Sequence, residues 1–280
     1  DGSIPPEIGL MTNLEVLEIR FVRIRGSIPT ELGLCTNLQK LILVDGDLTG
    51  TLPTEIGQLK RLEHMELLGQ NLDGTIPTEL GRCTRLKHLI LERNAFLHGT
   101  LPTELGLLPT LEKLVISTSL IEAIPIPKEY LQIPSLRHLT LDGLELTGTL
   151  PTELGAMDQL ESLNLQLNEL SGTIPSEIGR MTRLTLLTLE RNELVGTVTS
   201  QIGKCTALET LDISDNILRG TIPSEMGQLT ELVRLDVSHN IFTGSIPAGI
   251  CSRMDAGLEF LATSCETESS EGCIDFTCTR

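Results

Sequence analysis

Histidine, cysteine and carboxylate side chains carry most of the chemical potential of this chain, and their spacing decides what they could do. His64, His88 and His138 share with Lys40 and Lys113 a step of 24 or 25 residues, which makes one column if the backbone repeats at that period. Imidazoles in such a column titrate near neutral pH and could contact a ligand, although solvated side chains are the plainer reading. Zinc is disfavoured, because it needs at least three protein ligands and neither Cys nor another suitable donor joins His64 and His88. Asp212, Ser214, Asp215, Asp236, Ser238 and His239 would suit a cationic partner or calcium, yet a solvated acidic face is the default. The sequence holds no GxSxG elbow, no P-loop and no HExxH helix, so it reads as a non-enzyme without cofactor or metal. A net charge of −17, without a Lys/Arg run, argues against a nucleic-acid partner.

The elements that position these residues follow from one periodicity. Glycines at 2, 26, 50, 74, 99, 148, 172, 196, 220 and 244 fall into a column with a usual step of 24, and Ala123 stands where the missing member belongs. Around it the chain repeats LxxLxLxxNxLxGxIPxxLG, shown best by LESLNLQLNELSGTIPSEIG. Ten strands are predicted to begin at Leu14, Leu38, Leu62, Leu86, Leu111, Leu136, Leu160, Leu184, Leu208 and Leu232, with a degenerate eleventh at Leu258. The alternating LxL puts leucines inward and their neighbours outward, and stacked coils make a parallel sheet. Asn of the LxxN step turns the chain and satisfies backbone groups in a buried bend. Pro then opens a short helical turn that Gly ends. A Glu column (Glu7, Glu31, Glu55, Glu79, Glu104, Glu129, Glu153, Glu177, Glu225) supplies much of the acidity and suits the N-terminus of that turn.

This LxGxIP form closely resembles the plant-type leucine-rich repeats of receptor-kinase ectodomains, receptor-like proteins and polygalacturonase-inhibiting proteins, over about nine tenths of the chain. The resemblance implies an α/β solenoid, a right-handed superhelix with a concave parallel β-sheet, short second β-stretches and short 3₁₀ or α helices on the convex side. Repeats are expected over 1–247 and a cysteine-containing C-terminal cap over 248–280. Cys35, Cys83 and Cys205 share a repeat position where plant-type repeats carry a buried free thiol. Cys251, Cys265, Cys273 and Cys278 crowd the end and are the disulfide candidates, which points to an oxidising, extracellular or cell-surface location in the secretory pathway. No N-x-Ser/Thr sequon supports it.

The array is not uniform. The Asn column holds at Asn94, Asn168, Asn192, Asn216 and Asn240 but reads Val22, Gly46, Gln70, Ser119 and Leu144 elsewhere, so the first six coils are expected to lose about 1 kcal/mol per missing hydrogen bond. On their outward strand positions Ile42, Leu68, Ile90 and Val115 form an expected exposed apolar strip beside the His/Lys column. Candidate ligand contacts are Phe21, Ile42, Val44, His64, Glu66, Leu68, His88, Ile90, Glu92, Arg93, Val115, His138 and Asp142. A Ser/Thr column follows the glycines and resembles an ice-binding ladder, but β-branched Thr suits that strand position anyway and a curved solenoid makes a poor flat lattice.

The resulting expectation is a non-catalytic recognition module: the ligand- or co-receptor-binding ectodomain of a cell-surface receptor, with a protein or peptide partner. The alternatives are a secreted inhibitor of a wall-degrading hydrolase and a structural or adhesive, self-associating protein. The sequence opens mid-repeat without a signal-peptide pattern, so the expectation is either a removed N-terminal cap or a first coil covered by another chain, as in a homodimer. No apolar run is long enough to span a bilayer, so any membrane attachment would come from outside this chain.

Overall fold

The computed structural model describes residues 2–117, 119–254 and 257–263. The chain divides into two compact units, 1–145 and 146–280, and the same coil builds both. In the first unit β1 (Val16–Arg20), β2 (Lys40–Val44), β3 (His64–Leu68), β4 (His88–Glu92), β5 (Lys113–Ser117) and β6 (His138–Asp142) pair in chain order as a parallel sheet. In the second unit β7 (Ser162–Asn164), β8 (Leu186–Thr188), β9 (Thr210–Asp212), β10 (Arg234–Asp236) and β11 (Phe260–Ala262) do the same. The last of these comes from the degenerate LEFLATSC segment.

Register aligns like repeat positions, so Leu41 lies beside Met65, Met65 beside Leu89 and Leu89 beside Leu114. These four side chains are fully buried. Burying one such aliphatic side chain contributes about 1.5–3 kcal/mol, and only a neighbouring coil can cover it. Two-residue stretches such as Arg25–Gly26 and Asp47–Leu48 pair on the opposite side of the coil. The 25-residue coil after Asn94 takes up its extra residue in a turn at Ala95, closed by the Leu97 amide on the Asn94 carbonyl at 3.0 Å, before the stretch Phe96–Gly99.

Each PxELG segment is a five-residue 3₁₀ turn, as in Thr30–Leu34 and Thr54–Gln58. Two details differ from expectation. Pro29 and Pro53 stand one position earlier than the first helical residue, in extended conformation. Gly57 lies inside its turn, not at its end, because a Cβ there would come 2.6 Å from the Glu79 carbonyl oxygen of the next coil. That glycine column therefore records close contact between coils. The Glu column does lie in the first turn, where Thr54 Oγ1 donates to Glu55 Oε2 at 3.3 Å.

The Asn column is a ladder of shared amides. Asn192 Oδ1 accepts from the Leu170 amide at 3.0 Å, and its Nδ2 donates to the Leu165 and Leu189 carbonyls at 3.0 and 3.1 Å. Leu165 and Leu189 each receive a second Asn amide, from Asn168 and Asn216. The expected weakness of the first six coils is partly corrected. Gln70 is buried, accepts from the Leu48 amide at 3.3 Å and donates to the Leu68 carbonyl at 3.2 Å. Its extra methylene fits because Gly46 has no side chain; a Cβ there would stand 2.8 Å from Gln70 Oε1. Ser119 donates to the Asn94 or Ser117 carbonyl.

Candidate recognition face

The outward positions of β1 to β6 form the open sheet face of the first unit. Phe21 projects into solvent at 75% exposure, while Leu68, Ile90, Glu92 and Asp142 are partly covered. The expected apolar strip is not exposed as a whole. Ile42, Val44 and Val115 are buried, at 6%, 3% and 7%. For the first two the cause is an ion-pair strap. In the sheet register Ile42 lies between Glu18 and Glu66. Arg20 reaches both carboxylates, with Nε 2.6 Å from Glu18 Oε1 and an amino nitrogen 3.2 Å from Glu66 Oε2. Its guanidinium thus spans the Ile42 rung, and its stem runs beside Val44, its own register partner.

The strap continues into the histidines. His64 Nε2 is 3.4 Å from Glu66 Oε2, and His64 Nδ1 is 3.1 Å from His88 Nδ1, with the two rings edge to face. On the far side His88 Nε2 lies 4.0 Å from Glu112. One Nδ1 must donate and the other accept, so the two rings hold complementary tautomers across this contact. The His88 pKa is pushed below its ordinary value, first by burial and then by His64, against the pull of Glu112. Beside the pair Lys87 donates to Glu63 at 2.8 Å, which lowers the Glu63 pKa.

A second strap links Arg93 to Asp45 at 2.8 Å across the intervening Gly69. A Cβ on Gly69 would meet Asp45 Oδ1 at 2.6 Å, so the missing side chain makes room for it. Arg20, Glu18 and Asp45 were not among the expected contacts. Glu18 stands two residues from Arg20 on the same strand, while Arg20 with Glu66 and Asp45 with Arg93 were present as complementary charges two coils apart, with a residue between that they could cover. His138 stands in register with Lys113 at the end of the His/Lys column.

In the second unit the acidic rows are already engaged. Asp212 and Asp236 each accept from the amide and hydroxyl of the serine two residues on, Ser214 and Ser238. Arg234 lies 3.5 Å from Asp212 and 3.1 Å from Asp236, and its guanidinium stacks 3.8 Å over the Phe260 ring. Asp215 faces Arg191 and His239. Among the described residues no group of three His, Cys, Asp or Glu could hold a metal ion. The Ser/Thr column is exposed throughout. The Cγ2 atoms of Thr149, Thr173 and Thr197 lie 2.8, 2.9 and 3.0 Å from where the next coil's glycine would carry a Cβ, so the three share one orientation.

Cys35, Cys83 and Cys205 are free and buried, each with its thiol on a carbonyl of the preceding coil. Burial pushes the Cys83 and Cys205 thiols up to about 11. Cys251 is disulfide-bonded and lies in helix α1 (Ala248–Met254); Cys265, Cys273 and Cys278 fall outside the described residues. Among the described residues no helix is long and apolar enough to cross a membrane.

Coils of this geometry define a class. The Leucine Rich Repeat family profile matches residues 159–181, 207–229 and 231–252, and the fold built from these coils is that of leucine-rich repeats. Comparison with curated proteins gave no match. Among solved structures it is similar to the plant peptide hormone receptor RGFR1 in complex with RGF2, at 36% identity and TM-score 0.85, covering 94% of this chain and 42% of that one. It is similar to the Arabidopsis receptor kinase HAESA in complex with the peptide hormone IDA and the co-receptor SERK1, at 26% identity and TM-score 0.66, covering 89% of this chain and 50% of that one. A plant ice-binding protein gives 27% identity and TM-score 0.76, with 89% of this chain and 80% of that one covered. The chain thus spans half or less of the two receptor structures.

Proposed function

We propose that this chain is a non-catalytic recognition module, the ligand- or co-receptor-binding part of an extracellular leucine-rich-repeat receptor. The observation that carries this reading is the open sheet face of the first unit. Its rungs hold unlike side chains (Phe21, Leu68, Ile90, Glu92, Arg93) on a backbone that otherwise repeats, and two ion-pair straps fix their layout. Variation concentrated on one face of a rigid scaffold suits selective contact with one partner. The similarity to RGFR1 and HAESA favours a peptide or co-receptor as that partner over the target of a hydrolase inhibitor. An oxidising location agrees with the cysteines after residue 250, which we expect to form two disulfides in a terminal cap. The test is panning of a displayed random-peptide library on the immobilised chain, followed by Leu68→Arg with Ile90→Arg. Selected peptides should lose binding while the melting temperature stays nearly unchanged; unaltered capture would sink the assignment of this face.

A second reading, ice binding, is favoured by the exposed Thr column, whose members share one orientation, and by the similarity to the plant ice-binding protein. Inhibition of ice recrystallisation by the wild type, lost in Thr173→Tyr with Thr197→Tyr, would support it. An inactive wild type would remove it.

A further inference from the structure

In the second unit the column that follows the glycines holds Thr149, Thr173, Thr197, Thr221 and Ser245, all exposed. The backbone beneath them keeps one register. Thr149 lies beside Ser171, Ser171 beside Glu193, Val195 beside Ile217 and Arg219 beside Ile241, a partner 22 residues further on each time. A constant register makes the step from one threonine to the next the same on every coil.

The threonine methyls share one kind of seat. A Cβ on Gly172, Gly196, Gly220 or Gly244 would stand 2.8, 2.9, 3.0 or 3.2 Å from Cγ2 of Thr149, Thr173, Thr197 or Thr221 on the coil before. Only glycine leaves room for that methyl, and Gly196, with φ at +82°, is also in a backbone region that other residues rarely adopt. In the first unit the same contact recurs between Gly74 and Thr51 and between Gly99 and Thr75. In all six pairs the methyl enters the seat, and the hydroxyl does not. Where serine takes the position, at Ser27 before Gly50, only its Cβ comes within 4 Å and the seat stays empty.

A threonine has three staggered χ1 wells. Seating the methyl selects one of them, so Oγ1 takes the same direction on coil after coil. Among the described residues none of the hydroxyls of Thr149, Thr173, Thr197 and Thr221 is spent on a hydrogen bond within the protein.

We propose that Gly172, Gly196, Gly220 and Gly244 are positioning residues that preset a hydroxyl ladder for the ordered water of an ice surface. The inference rests on the ice-binding reading and adds what fixes the array. An ice surface presents like water molecules at a fixed repeat, and is met by like groups at a fixed repeat. Side chains that must be ordered on contact weaken binding, whereas a β-branched side chain already held in one well does not.

Ice-recrystallisation inhibition by the full chain tests this, together with χ1 of the four threonines from three-bond NMR couplings. Thr149→Ser, Thr173→Ser, Thr197→Ser and Thr221→Ser combined keep every hydroxyl and remove the methyls that fill the seats. Thr54→Ser with Thr78→Ser removes methyls from exposed threonines outside the ladder and is the control. The expected result is a single χ1 well at each wild-type threonine, averaged couplings in the fourfold variant, and about tenfold or more protein needed for the same inhibition. The control should match the wild type. Gly196→Ala should turn Thr173 and leave Thr149 in place; because its backbone is strained, the fourfold serine variant is the decisive one. Averaged couplings in the wild type, or a fourfold variant as potent as an active wild type, overturn the seats and leave the ice reading standing. A wild type inactive on ice removes both.

Discussion

Replacing Asn192 by Ala tests how one coil is fastened to the next. The side chain is buried, and its Oδ1 takes the Leu170 amide of the preceding coil at 3.0 Å. Its Nδ2 serves the Leu165, Leu189 and Glu190 carbonyls at 3.0, 3.1 and 3.3 Å. In the variant Leu165 keeps the Asn168 amide and Leu189 keeps that of Asn216, so the carbonyls lose one of two donors. The Leu170 amide loses its acceptor. An orphaned buried amide costs about 1–3 kcal/mol and each surplus bond less, so we expect a total near 3 kcal/mol. Gln70→Ala should cost about half as much, because Gln70 makes two longer bonds, at 3.3 and 3.2 Å. Urea titration gives the global change. Since repeat arrays need not unfold in one step, amide hydrogen exchange supplies the local one: Leu170 should lose protection while Leu146, held by Asn168 at 3.0 Å, keeps it. Equal losses in the two variants, or a Leu170 amide that stays protected, would refute the ladder as the fastening.

Three further outcomes follow from the same coil. Gly57→Ala should destabilise by more than about 2 kcal/mol, read by urea titration, because the new methyl meets backbone and not a movable side-chain end. Cys83 and Cys205, with thiols raised to about 11 by burial, should resist iodoacetamide at mildly alkaline pH in the folded chain and react once urea unfolds it; alkylation of the native protein would contradict their placement. For His88 the folded pKa lies below the unfolded one, so the unfolded chain takes up its proton first and stability falls as pH drops through the ordinary histidine range. An NMR titration of the free protein should place the His88 midpoint below that of histidine in the unfolded chain, and a higher midpoint would reverse the sign.

The coil itself was legible in the sequence because its causes are local and repeated. Inward leucines, the bend asparagines and the acidic first turn each recur at one spacing, and all three stand where that spacing puts them. The exceptions mark where a residue answers to something other than its own repeat. Gln70 was read as a lost asparagine, since the space that lets a longer amide do the same work comes from Gly46 in the coil before. Gly57 was read as a helix stop because composition shows a glycine but not the glutamate backbone pressed against it.

The face was harder to read for the same reason. Alternation along a strand says which side chains point outward and nothing about what lies over them, so Ile42 and Val44 were expected in the open. Arg20 acts on them from the neighbouring rung and closes onto Glu66 beyond. Pairs that skip a rung appear in the sequence only as opposite charges about two periods apart, as with Arg20 and Glu66 or Asp45 and Arg93. Such straps turn a stretch of sheet from apolar to charged, and they change what can dock there. With Ile42 roofed and Glu66 answered, what the first unit presents to a partner is the exposed Phe21, the partly covered Leu68 and Ile90, and charged side chains among them. This favours a ligand with polar groups of its own over a purely apolar one.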